Sequence, residues 1–131
     1  DAAEVNGDAR PDLFVADMLP DQEAIYKTSA SYETWNVYAL RLRAGYRPQY
    51  PRNTLQLNRG VVRGAAGARD AVPRFSEVAQ LAGVQATDWS WAPLLADYDL
   101  DGRRDLFVTN GIFRRPNDLD YINYVGNEAV Q

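Results

Sequence analysis

Residues 97 to 106, DYDLDGRRDL, place four carboxylates within ten positions and run directly into the apolar FVTN. Counting Asp97 as position 1, the acids fall at 1, 3, 5 and 9 (Asp97, Asp99, Asp101 and Asp105), with Gly102 at 6. Calcium takes about 6 to 8 oxygen ligands at roughly 2.3 to 2.6 Å, and a loop curling around the ion must present alternate side chains inward. A spacing of two does this. Gly102 admits the sharp turn that aims the next carbonyl, that of Arg103, back at the metal, and Asp105 closes the shell. Without a cation, four carboxylates this close would repel one another and some would titrate upward. A plain Asp/Gly turn with solvated acids is the alternative. Four matched positions and the glycine favour the cation loop.

An EF-hand would need a glutamate at position 12, and that position is Val108. WAPLLA before the loop carries a proline and is too short for a helix, while LFVT after it is β-branched and aromatic. The expected unit is therefore strand, acidic loop, strand. A second copy lies near the start. Aligning DLFV at 12 to 15 with DLFV at 105 to 108 sets Glu4 on Asp97, Asn6 on Asp99, Asp8 on Asp101, Arg10 on Arg103 and Asp12 on Asp105. EVNGDARPDL is a weakened version of the loop. Glu4 is one methylene too long, Asn6 offers a neutral oxygen, and Ala9 stands where the turn wants glycine. Weaker calcium binding is expected there. Repetition at fixed spacing points to an array of like units.

The 131 residues are 46% hydrophobic, enough for one ordinary domain with a real core. The formal net charge of -4 comes with no basic run, which argues against a nucleic-acid partner. The absence of Cys and His removes disulfides, thiol nucleophiles, imidazole bases and Cys/His zinc sites. No apolar run approaches the ~18 residues of a membrane span. The start, DAAEVNGDAR, is neither a methionine nor a signal peptide, so a piece of a longer protein is expected. Serines without a histidine, and a lone Lys27, give catalysis little support. The acid pairs lie inside the loops, where a metal would hold them ionised.

Between the two loops an insertion must sit, because 93 residues separate them. In SYETWNVYALRLRAG, Trp35, Tyr38 and Leu42 share one helical face, Ser31 can cap the start, Glu33 suits the first turn, Arg41 and Arg43 the last, and Gly45 the stop. GYRPQYPRN then forbids a regular element. RGVVRGAAGARDAVPR, between Asn58 and Phe75, reads as an exposed loop. Near the end Asn117 can cap a short helix over DLDYINYV, with Leu119 and Ile122 packing inward. Trp89 and Trp91 alternate along a strand and share a face, as a sugar-stacking pair or, more simply, as packing. For Tyr46 and Tyr50 with Arg47 and Arg52, packing competes with a ligand groove. Arg114 and Arg115 suit an edge charge or partners for Asp118 and Asp120.

The pattern D-x-D-x-D-G-x-x-D-L, with NTLQLN, RFSEVAQLAGV, TDWSWAPLLADYDLDGRRDLFVTNG and RRPNDLDYIN, resembles the FG-GAP-like (VCBS) repeat proteins, in particular the branch that often carries an ASPIC/UnbV domain. The resemblance covers about residues 1 to 20 and 51 to 125. It implies a mainly β fragment of a β-propeller, about two blades, with calcium in the hairpin of each blade as in integrin α-subunits. Its ligand positions carry over to Asp97, Asp99, Asp101, the Arg103 carbonyl and Asp105, and by weaker match to Glu4, Asn6, Asp8, the Arg10 carbonyl and Asp12. Residues 1 to 20 would end one blade, 21 to 50 form a partly helical insertion, 51 to 115 a blade with its calcium loop, and 116 to 131 a short helix leading to the next blade. The expected role is non-catalytic: a calcium-binding segment of an extracytoplasmic protein, in adhesion-like binding of a protein or carbohydrate, packed against further blades of the same chain. The alternative is part of a secreted carbohydrate-active or carbohydrate-binding protein using Trp89 and Trp91.

Overall fold

The repeated DLFV tetrapeptides are β-prone, and both become strands held by hairpins across an acidic loop. The computed structural model describes residues 1–29, 33–63, 71–112 and 114–127. The chain is mainly β, with two antiparallel sheets and a few short helices. β1 (Ala2–Ala3), β2 (Asp12–Val15), β3 (Thr54–Arg63) and β4 (Ala71–Glu77) form a sheet in the order β1-β2-β3-β4. β5 (Ser90–Ala96) and β6 (Asp105–Asn110) form a separate two-stranded sheet. Among the described residues neither sheet closes on itself, and no helix is long and apolar enough to cross a membrane.

The two hairpins share one register. Ala3 faces Asp12 and Ala2 faces Leu13 in the first, as Ala96 faces Asp105 and Leu95 faces Leu106 in the second. Each of these positions is 93 residues from its counterpart. Only the first hairpin continues into a wider sheet, where Leu13, Phe14 and Val15 of β2 face Gln56, Leu55 and Thr54 of β3.

β3 and β4 extend into the stretch expected to be a loop: Arg59 to Arg63 lie in β3 and Ala71 to Arg74 in β4, leaving 64 to 70 outside the described residues. Composition misled here because the segment is rich in Gly and Ala, while its structure comes from cross-strand pairing. A register shift between Asn58 and Val61 absorbs Gly60, whose φ of 78° puts it in the left-handed region. Pro73 is tolerated because β4 is an outer strand.

The insertion carries two helices. α1 (Glu23–Thr28) was not expected, and α2 (Trp35–Arg43) was. Ser31 lies outside the described residues, and the residue at the start of α2 is Thr34, with no side-chain cap bond. Glu33 sits before the helix and bonds Arg41 at 2.7 Å. The stop is as expected: Gly45 has φ 86°, and the Gly45 and Tyr46 amides donate to the Leu42 and Arg41 carbonyls. After α3 (Ala79–Ala82), α4 (Leu119–Val125) is capped by Asp118, whose carboxylate accepts from the Tyr121 amide at 3.0 Å. The expected cap, Asn117, is one residue too early, and Leu119 and Ile122 are exposed, since no described element covers that face.

The expected core is small. Among the described residues Phe14, Pro20 and Ala79 are buried, joined by Asp12, Ser29, Asn53 and Ser90. The accessible surface is 10063 Å², against about 6,900 Å² for a compact monomer of this mass. Many of the apolar residues that composition assigned to a core are exposed instead, on strands, as Val61 and Leu94 are, and on helices, as Trp35 and Leu40 are. Asn53, just before β3, ties the segment after β2 to the segment between α3 and β5: its side-chain oxygen accepts from the Asp17 amide at 2.7 Å, and its amide donates to the Val84 carbonyl at 3.0 Å and the Thr87 hydroxyl at 2.6 Å.

Candidate metal-binding loops

The acidic loop between β5 and β6 is built by its own carboxylates. Asp97 accepts from the amides of Asp101 at 3.0 Å and Gly102 at 2.9 Å, and Asp99 accepts from Asp101 at 3.1 Å. Asp101 accepts from the Arg103 amide at 2.8 Å, and Asp105 from the Tyr98 amide at 2.9 Å. The loop before β2 repeats all but one of these bonds, Glu4 accepting from Gly7 where Asp97 accepts from Gly102. Glu4 accepts from the Gly7 and Asp8 amides, Asn6 from Asp8 at 3.1 Å, Asp8 from Arg10 at 3.0 Å, and Asp12 from Val5 at 3.1 Å.

Backbone geometry repeats too. Gly7 and Leu100 have φ of 80° and 63°, and Ala9 and Gly102 have 60° and 88°. Each loop thus needs two left-handed residues, fills one with glycine, and strains a side-chain-bearing residue at the other. The strain at Ala9 was legible in the sequence. The strain at Leu100 was not, because an EF-hand-like reading reserves only position 6 for glycine.

Asp97, Asp99 and Asp105 come together, each offering an oxygen within 4.8 Å of the others. Oxygens bound to one calcium lie no further apart than about 5.2 Å, twice the longest ordinary bond, so this donor set fits a single ion. The inward amide bonds leave lone pairs on the same carboxylates, since each carboxylate oxygen has two. Among the described residues this is the one such cluster of acids.

Asp101 is not in it. Its carboxylate is held by the Arg103 guanidinium at 2.6 and 2.9 Å, and that hydrogen bonding, with the Arg103 amide, holds its pKa below the ordinary aspartate value. Asp8 is in the same position in the first loop: partial burial pushes it up, but bonds from Arg10 and Asn6 outweigh this and leave it lowered. Spacing placed Asp101 correctly along the chain, but it could not show that the neighbouring arginine competes for it. In the first loop Glu4, Asp8 and Asp12 do not gather. Asp12 is fully buried, and its second oxygen accepts from the Asn58 amide of β3 at 2.7 Å. Both loops line one cleft of about 460 Å³, with Glu4, Asn6 and Gly7 on one side and Asp97, Gly102 and Arg103 on the other.

The other expected sites resolve differently. Trp89 precedes β5, and Trp91 lies at a register shift within it, so the two do not share a regular strand face. Trp91 is 60% exposed, its indole resting where a side chain on Gly111 would stand. Tyr46 and Tyr50 are exposed rather than packed. The Arg41 guanidinium sits 5.9 Å from the Tyr46 ring centre, and Arg52 bonds Glu77 at 3.0 Å. Arg115 forms a two-pronged ion pair with Asp88 and not with Asp118 or Asp120, a long-range pairing that spacing does not reveal. No family model, curated protein or solved structure matches this chain in the comparisons made.

Proposed function

We propose that this chain is a non-catalytic calcium-binding repeat segment of the FG-GAP/VCBS kind, part of a β-propeller in an extracytoplasmic protein, with a structural and ligand-binding role. The observation that carries the reading is the gathering of Asp97, Asp99 and Asp105 within 4.8 Å at the head of a hairpin whose fold is repeated 93 residues away. Asp97, Asp99 and Asp105 would hold the ion. Asp101 would complete the shell by exchanging the Arg103 guanidinium for the cation, and the Arg103 carbonyl would supply a neutral oxygen. Bound calcium neutralises the clustered charge. Because it binds the folded loop and not the open chain, it stabilises the hairpin by mass action.

The first loop is the weaker site. Its oxygens are spent on the fold: Asp12 on the β3 amide, Asp8 on Arg10. The test is a thermal melt in millimolar calcium and in chelator, for the native chain and for Asp99→Ala. Calcium is expected to raise the melting temperature of the native chain by several degrees and leave the variant unmoved. Coincident curves for all four samples would refute the proposal.

A further inference from the structure

We propose that the aromatic hollow between α2 and the chain entering β3 is a saccharide-binding site, which takes a neutral sugar on the rings of Trp35 and Tyr50 and holds its hydroxyls through Glu33 and Gln49. α1, α2 and the residues before β3 wall a cavity of about 690 Å³, within the range of about 300 to 1,000 Å³ found for small-molecule sites. Four of its lining residues are aromatic: Tyr26, Trp35, Tyr38 and Tyr50. All four, with Glu33 and Gln49, lie in the insertion of 21 to 50, outside the segments that resemble the repeat family and outside the acidic loops.

The rings are presented to solvent. Trp35 is 74% exposed and Tyr50 62%, and the Trp35 ring stands 5.6 Å from that of Tyr38, tilted by 35°. Clustered apolar surface left open in this way marks a contact site. The polar groups around it are fixed by one side chain. Arg41 of α2 donates to Glu33 at 2.7 Å and to Gln49 at 3.1 Å, and so ties the residue before the helix to the chain after it. The Tyr38 phenol belongs to the same cluster: burial pushes its pKa up, and Tyr50 and Glu33 beside it push it further.

Charge and hydrogen-bonding capacity select the ligand. The two charged residues of the lining are already balanced, Glu33 by Arg41 and Arg52 by Glu77 at 3.0 Å, so an ionic ligand finds no free counter-charge on these walls among the described residues. The polar capacity that remains is of both kinds. Glu33 gives one carboxylate oxygen to Arg41 and keeps the other as an acceptor, while Gln49 gives its oxygen and keeps its NH2 as a donor. Hydroxyl groups donate and accept, and the C–H face of a sugar ring suits the negative face of an aromatic one. A proline-rich peptide also favours aromatic grooves, but its prolines have no N–H to give the carboxylate.

None of these residues holds the proposed calcium, so the test is run in chelator and in calcium alike. The probes are neutral cello-, malto-, xylo-, manno- and chito-oligosaccharides, titrated calorimetrically into the full chain. At least one is expected to bind in both conditions with a Kd below about 1 mM. Trp35→Ala and Tyr50→Ala, each with a native far-UV spectrum, should weaken that binding about tenfold, and Trp91→Ala of β5 should leave it unchanged. No binding of any probe at millimolar concentration by a chain with its native spectrum would overturn the proposal. So would loss on Trp91→Ala but not on Trp35→Ala, which moves the sugar to β5, or tighter binding of decaproline or tetramethylammonium than of every saccharide. Binding in calcium alone, by a chain folded in both conditions, would place the sugar at the acidic loops and likewise overturn it.

Discussion

The same four residues, Asp-Leu-Phe-Val, occur at 12 to 15 and at 105 to 108 and meet opposite fates. The loops that introduce them fold alike, with four equivalent amide bonds and left-handed residues at matching positions. Yet Phe14 and Asp12 are buried while Phe107 is half exposed and Asp105 is half-buried. Loop geometry is thus a local property, written into Asp, Asn and Gly at fixed spacing. Burial is a property of the neighbouring strand, which among the described residues one copy has and the other lacks. The consequence for chemistry is that the buried copy spends Asp12 on the neighbouring strand, and the open copy brings oxygens of Asp97, Asp99 and Asp105 within 4.8 Å of one another.

Truncating the aromatic ring breaks this comparison most strongly. Phe14→Ala should cost about 3 to 5 kcal/mol, a full core truncation, and Phe107→Ala about 1 kcal/mol or less, both measured by urea unfolding. Comparable losses would mean that the second sheet is as well covered as the first. Next come the closing aspartates. In chelator, Asp12→Ala leaves the half-buried amides of Val5 and Asn58 without an acceptor and should cost about 3 kcal/mol, while Asp105→Ala, which releases the Tyr98 amide, should cost about 1 kcal/mol.

Smaller effects sharpen the equivalence of the loops. Ala9→Gly and Leu100→Gly each relieve a left-handed side-chain-bearing residue, and each should stabilise the chain by up to about 1 kcal/mol, the strain relieved less the entropy glycine brings to the unfolded state. A gain at one and a loss at the other would dissolve the match. Smallest is the acid response of Glu77, which belongs to the wider sheet alone. Partial burial pushes this carboxyl up, but the Ala79 amide, Arg52 and the Leu55 amide bind its charged form and leave its pKa lowered. A lowered folded pKa contributes stability above the ordinary glutamate value of about 4.3 and loses it as pH falls through the lowered one. The stability gap between native and Glu77→Gln should therefore be full at pH 6 and close toward pH 2.

The sequence carried the local features well. The acidic loop between two strands, its early copy, the helix ending at Gly45 and the alignment of the two DLFV runs all follow from residue type and spacing, because turn and cap chemistry acts over a few residues. Long-range partners were not legible. Nothing near Asn58 in the sequence says that it docks on a loop 46 positions earlier, nor does Arg115 announce Asp88, 27 positions away. The strands through 59 to 63 and 71 to 74 were missed for the same reason. Asp101 shows that even local contacts can be overlooked: the arginine two residues on takes its carboxylate, as Arg10 takes that of Asp8 in the first loop.

The most direct test of the central claim is a calcium titration followed at individual backbone amides. Residues 97 to 105 are expected to shift first and saturate at one ion per chain, with residues 4 to 12 responding only at higher concentration. Amides of 97 to 105 that stay fixed up to millimolar calcium, in a chain that is otherwise folded, would contradict the account.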